Sequence, residues 1–119
     1  AAAEPASSVI WDPTTLAAAV GDNRAMLKRL LGKFLINAAR QLGDIQQAGA
    51  AGDLDALTRI AHTLKSSARA VGAMALGEFC QSLEAAGRGA DGAACQALCD
   101  QLPGALEQAD ERIHQYLDA

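Results

Sequence analysis

Apolar residues recur at three- and four-residue steps through successive segments of this 119-residue chain, and glycines mark the gaps between the segments. In the longest, Met26, Leu27, Leu30, Leu31, Phe34, Ala38, Leu42 and Ile45 fall on one side of a helix, the pattern of a single buried face. A strand alternates its side chains and would scatter the same residues over two faces. Composition agrees: half the residues are apolar, only 3% are aromatic, and alanine is abundant. That suits closely packed helices and gives a sheet little to work with, so the fold class is all-α.

Helix punctuation divides the chain further. Asp12-Pro13 reads as an N-cap with proline at the first helical position, and Gly21 follows Val20 where that short first helix stops. Asp22 or Asn23 caps the second helix, which should end near Gly49. Asp53 caps the third and Gly72 closes it. The stripe Leu76, Phe79, Cys80 and Leu83 carries the next helix to Gly87, and Gly89 to Gly92 forms a turn. The last helix runs from about Ala93 to Leu117, and Pro103-Gly104 predicts a kink or a break into two helices. Short connections favour an antiparallel up-and-down four-helix bundle, with the short additional N-terminal helix as a lid anchored by Trp11. Residues 1–8 are small, polar and proline-bearing, the composition of a linker or of a remnant left by cutting a longer chain. The domain proper spans 9–119.

Several functions are excluded at this stage. A net charge of −4 with no basic run or aromatic platform argues against nucleic acid. No apolar stretch reaches the roughly 20 residues that cross a bilayer, and the first residues lack a signal peptide's basic start and long apolar segment. Cys80, Cys95 and Cys99 are odd in number and lack CxxC spacing, which fits a reducing compartment and a cytoplasmic location. Cys95 and Cys99 could grip a metal from one helical face, but no further Cys or His falls at a matching turn, and His114 reads as surface. Neither glycine-rich phosphate motif is present, so the chain is not expected to bind ATP or act as a kinase.

One histidine stands apart. At about 100° per residue, Leu57, Ile60, Ala61, Leu64, Ala68 and Val71 share a face and His62 lies about 160° from it, toward water. Around the imidazole fall Asp55, Thr58, Arg59, Lys65, Ser66 and Arg69, cations and small hydroxyls suited to an anionic visitor. Phosphoryl chemistry on an imidazole needs an exposed ring, a group that fixes its tautomer, and cations for the phosphoryl oxygens. Lys65 and Ser66, one turn along, offer an ammonium and free space. After the Gly72 reversal Glu84 can reach back to accept the Nδ1 proton; spacing alone leaves open the reading of an ordinary exposed glutamate.

Residues 61–88, AHTLKSSARAVGAMALGEFCQSLEAAGR, resemble without gaps the signature helix pair of histidine-containing phosphotransfer (HPt) domains, approximately A-H-x-L-K-G-S/A-S/A-x-x-L/V-G. By that resemblance His62 is the phosphoacceptor, Lys65 the phosphate-facing lysine, Gly72 the turn glycine and Glu84 the residue orienting the ring. Arg88 falls at a basic position that some members have near the site. The departure is Ser66, where most members have glycine; its small side chain keeps access, and its hydroxyl could donate to a phosphoryl oxygen.

The resemblance implies a phosphorelay intermediate: His62 takes a phosphoryl group from a receiver-domain aspartate and passes it to another. The partners are then receiver domains of response regulators or of a hybrid histidine kinase, met by a monomeric domain through Arg59, Ser66, Ser67, Arg69 and Arg88. No cofactor is expected on this chain, with Mg²⁺ on the receiver. A helical docking module without chemistry is the alternative, although docking alone needs no outward histidine beside a lysine. Catalysis with His62 as general base is weaker still, because no pocket-forming loops are apparent.

Overall fold

The computed structural model describes residues 9–21 and 23–119, so the linker-like residues 1–8 lie outside the described residues. Five helices follow in order: α1 (Pro13–Val20), α2 (Arg24–Ala51), α3 (Leu54–Val71), α4 (Met74–Arg88) and α5 (Gly92–Asp118). Short turns send each long helix back beside its predecessor. Helix α3 packs on α2 and α4, α5 packs on α4 and α2, and the ring of four closes around one core, with α1 laid against α3. Leu27, Leu31, Ile45, Leu57, Leu64, Leu76, Leu83, Leu102 and Ile113 are fully buried there, each side chain contributing about 1.5–3 kcal/mol of transfer free energy.

The helix starts are fixed locally. Asp12, Asn23, Asp53 and Asp91 each accept a backbone N–H of the first turn, meeting donors that helices cannot satisfy internally. Helix α4 has no side-chain cap. The segment before α1 supplies a backbone acceptor instead, since the Val9 carbonyl accepts the Ala75 N–H at 2.9 Å. The same segment binds the α3–α4 turn twice more, through Asp12 N–H to the Gly72 carbonyl at 2.9 Å and the Trp11 indole N–H to the Val71 carbonyl at 2.9 Å. Gly72 has φ +96°, and a Cβ there would collide with the Asp12 carbonyl. Trp11 is buried and meets Tyr116 edge-on at 5.2 Å, so it anchors the first helix as expected.

Two boundaries differ from expectation. Helix α2 runs through Gly49 to Ala51 and ends on Gly52, which has φ +72°. Gly49 serves packing instead: a Cβ there would lie 3.3 Å from Cys99 Sγ and 3.5 Å from Leu57 Cδ1. Nor does Pro103 break the last helix, which is continuous over Gly92–Asp118. Leu98, Cys99, Leu102, Ala105 and Ala109 are buried on both sides of it while Pro103 and Gly104 face water. Burial of one continuous stripe outweighs the roughly 3 kcal/mol that an interior proline costs.

Helices α3 and α4 approach closely because α4 is bare where they meet. At Gly87 an added Cβ would collide with Thr58 Oγ1, and that hydroxyl is held by the Leu54 carbonyl at 2.6 Å. Gly87→Ala should therefore lower stability by about 1–3 kcal/mol through overpacking. A thermal midpoint within about 1 °C of wild type would show that the two helices separate at no cost.

Candidate functional site

His62 lies on the outer side of α3 with its side chain 57% exposed. Its face is set by periodicity: Ala61 and Leu64, on either side in sequence, are fully buried. The glycines of α4 bring Glu84 within reach, and that carboxylate is the one buried charged group among the described residues, 3% exposed in its side chain. Glu84 Oε2 lies 3.0 Å from His62 Nδ1 and 2.5 Å from an Arg88 guanidinium nitrogen. The other oxygen, Oε1, accepts from Lys65 Nζ at 2.7 Å. Of the two readings of Glu84 left open by spacing, the exposed glutamate is thus removed.

One carboxylate holds three donors. The Lys65 hydrogen bond is the largest influence on Glu84 and holds its carboxyl below the usual range, against the opposing effect of burial and with help from His62 and Arg88. An ionised Glu84 must accept from His62, which places the ring proton on Nδ1 and leaves the Nε2 lone pair toward solvent. The geometry thus supplies an outward imidazole nitrogen with a negative charge behind it.

The other predicted residues divide. Ser66 Oγ donates to the His62 carbonyl at 3.2 Å, and Ser67 Oγ to the carbonyls of Thr63 and Leu64. Both hydroxyls are engaged with their own helix and not directed at the imidazole. Arg59 is exposed beside a shallow groove between α2 and α3 that Arg40, Asp44 and Thr63 also line. Arg69 donates to the Gln81 side-chain carbonyl of α4. The cluster of cations expected around the ring is therefore uneven: Lys65 and Arg88 meet at Glu84, while Arg59 and Arg69 stand apart from it.

The remaining candidates make no hydrogen bond or ion pair with His62, Lys65 or Glu84. Cys80, Cys95 and Cys99 are free and buried, and burial pushes the Cys80 thiol up to about 12. His114 is exposed, with Nδ1 2.5 Å from the Asp110 carboxylate and 3.0 Å from the Asp110 carbonyl of its own helix; the carbonyl contact is the largest influence raising its pKa.

An outward histidine on a helical bundle, backed across a helix pair by a buried carboxylate and a lysine, defines a phosphotransfer domain. A family model described as the Hpt domain matches residues 29–112, and the chain belongs to that family of phosphotransfer domains in two-component signalling. Among solved structures it is similar to histidine-containing phosphotransfer protein B (HptB) from Pseudomonas aeruginosa PAO1. The two share 25% identity with a TM-score of 0.85, over 94% of this chain and 97% of that one. No curated protein matches the chain in sequence.

Sequence reading missed Gly77, Gln81 and Gly87. The two glycines carried a signal, since glycines inside an apolar helical stripe mark close approach of another element. Gln81 carried none, since its role depends on where Arg69 lies on the neighbouring helix.

Proposed function

We propose that His62 accepts a phosphoryl group at Nε2 from the aspartyl phosphate of one receiver domain and returns it to the aspartate of another. The observation that carries this reading is the 3.0 Å approach of a buried carboxylate to Nδ1 of an exposed ring. In the forward step the Nε2 lone pair forms an N–P bond and the aspartyl P–O bond breaks, its electron pair leaving on the aspartate. The Nδ1 proton stays in place, and the ring's new positive charge faces Glu84. Return to a second receiver runs the same bonds in reverse. The chain then acts as a phosphoryl carrier and not as a kinase.

Lys65 Nζ uses one of its three donors on Glu84, leaving others for a phosphoryl oxygen. Lys65→Ala should slow transfer about tenfold and lower stability by about 1 kcal/mol, because its 2.7 Å pair is mostly shielded. Quench-flow transfer rates unchanged from wild type would reduce Lys65 to a structural partner of Glu84. Mg²⁺ belongs on the receiver in this scheme; among the described residues no group of three or more His, Cys, Asp or Glu is placed to hold a metal ion. Arg59 and Arg69, exposed on the helix that carries His62, give an acidic chain local positive charge suited to an acidic receiver pocket. No helix among the described residues is long and apolar enough to cross a membrane, and we place the exchange in the cytoplasm.

The test is chemical. Incubation with a phosphorylated receiver domain and Mg²⁺ should label the peptide carrying His62 with an acid-labile, alkali-stable phosphoryl group. An acid-stable label, or one on a hydroxyl residue, would overturn the reading.

A further inference from the structure

Four cations lie on the two helices that carry the site, and they are not equivalent. Lys65 and Arg88 both pair with Glu84, so their charge is largely compensated. Among the described residues neither Arg59 nor Arg69 has a carboxylate within ion-pair distance. Arg59 is held by no side-chain hydrogen bond among those residues, but Arg69 is positioned twice. Its guanidinium donates to the neutral amide oxygen of Gln81. Its stem lies across the bare backbone of Gly77, where an added Cβ would stand 3.0 Å from Arg69 Cγ and 3.5 Å from Nε.

A neutral acceptor orients a guanidinium without cancelling its charge, and a fixed stem removes part of the entropy that a long side chain loses on binding. Arg69 is seven residues beyond His62, hence on the same side of α3 and about 10 Å further along its axis. We infer that Gly77 and Gln81 hold Arg69 as a specificity-determining cation that pairs with a carboxylate on the receiver surface, about 10 Å from the receiver's phosphoacceptor aspartate. This rests on the reading of His62 as phosphoacceptor. Arg69 thus selects among receivers by docking and takes no part in the bond exchange.

The test measures transfer from a panel of receiver domains, charged with acetyl phosphate and Mg²⁺, to wild type, Arg69→Ala, Arg69→Lys and Gln81→Ala. For the receiver most active with wild type, Arg69→Ala should reduce the second-order rate about tenfold while the rate at saturating receiver changes less than twofold. The salt dependence of the second-order rate should flatten with it. Gln81→Ala, which leaves the charge but frees the side chain, should cost about threefold, and Arg69→Lys should restore only part of the loss. The ranking of receivers should narrow in Arg69→Ala.

Unchanged second-order rates across the panel in Arg69→Ala would overturn the inference. So would an equal fall in the saturating rate with an unchanged thermal midpoint, since that places Arg69 in the chemistry. If wild type takes up no label at His62 from any receiver, the phosphoacceptor reading itself fails, an outcome separable from the others because it precedes any comparison of variants.

Discussion

His62→Gln is expected to take up no phosphoryl group from a phosphorylated receiver domain, while wild type gains one per chain by intact-mass spectrometry. Loss should be complete because an amide nitrogen has no lone pair available for attack, and no second histidine shares the site: the other, His114, is exposed on α5 and pairs with Asp110. The fold should survive. His62 is more than half exposed and contributes one hydrogen bond, to Glu84, which keeps Lys65 and Arg88. The thermal midpoint should therefore shift by no more than a few degrees, corresponding to about 0.5–1.5 kcal/mol. Equal uptake by both proteins would end the assignment of His62.

Glu84→Ala should produce the second-largest loss, in rate and in stability together. As a residue that only orients the ring, Glu84 would be expected to matter less than Lys65, which faces the phosphoryl group. The geometry leads to the opposite expectation, because one carboxylate positions His62 and Lys65 at once. Its removal frees the ring to adopt either tautomer and leaves Lys65, 17% exposed, without its partner. Transfer should slow by about one to two orders of magnitude, and stability should fall by about 1–3 kcal/mol, less than for a fully buried pair because the partners reach water. Glu84→Gln keeps the shape and should separate charge from position. The carboxyl is held below its ordinary value of 4.5, so it contributes stability above that pH and loses the contribution as pH falls through its lower folded value. Acid unfolding followed by circular dichroism should accordingly be less steep below pH 4.5 in Glu84→Gln than in wild type. A Glu84→Ala protein with wild-type transfer rate and midpoint would show that neither the ring nor Lys65 depends on this carboxylate.

Which parts of this molecule were legible in one dimension follows from the range of the forces concerned. Periodicity and caps act over one or two turns, and they place α1, α3 and α4 within a residue or so of their observed limits: Asp12, Asp53, Gly21 and Gly72 hold the positions that their side chains or backbone freedom suit. His62 is outward for the same reason, since Ala61 and Leu64 commit the opposite face to the core. Signals with two physical meanings were read the wrong way. Gly49 looked like a stop and is a contact with Cys99; Pro103 looked like a kink or a break, and of these the break is absent because the proline lies on the wet side of a helix held together by burial on both flanks. In each case a local preference of a few kcal/mol met packing energy from residues distant in sequence.

The sequence by itself therefore determined the all-α class, the turns, the outward histidine and its lysine, because each is a property of one helix and its ends. Tertiary structure decided whether Glu84 was a surface charge or the centre of the site, and it decided that Lys65 and Arg88 are compensated while Arg69 is held free by Gly77 and Gln81. Those outcomes depend on the distance and register between α3 and α4. That register is set by bare glycine backbone and by a turn that residues 9–12 bind from outside the pair, and no periodicity within either helix encodes it.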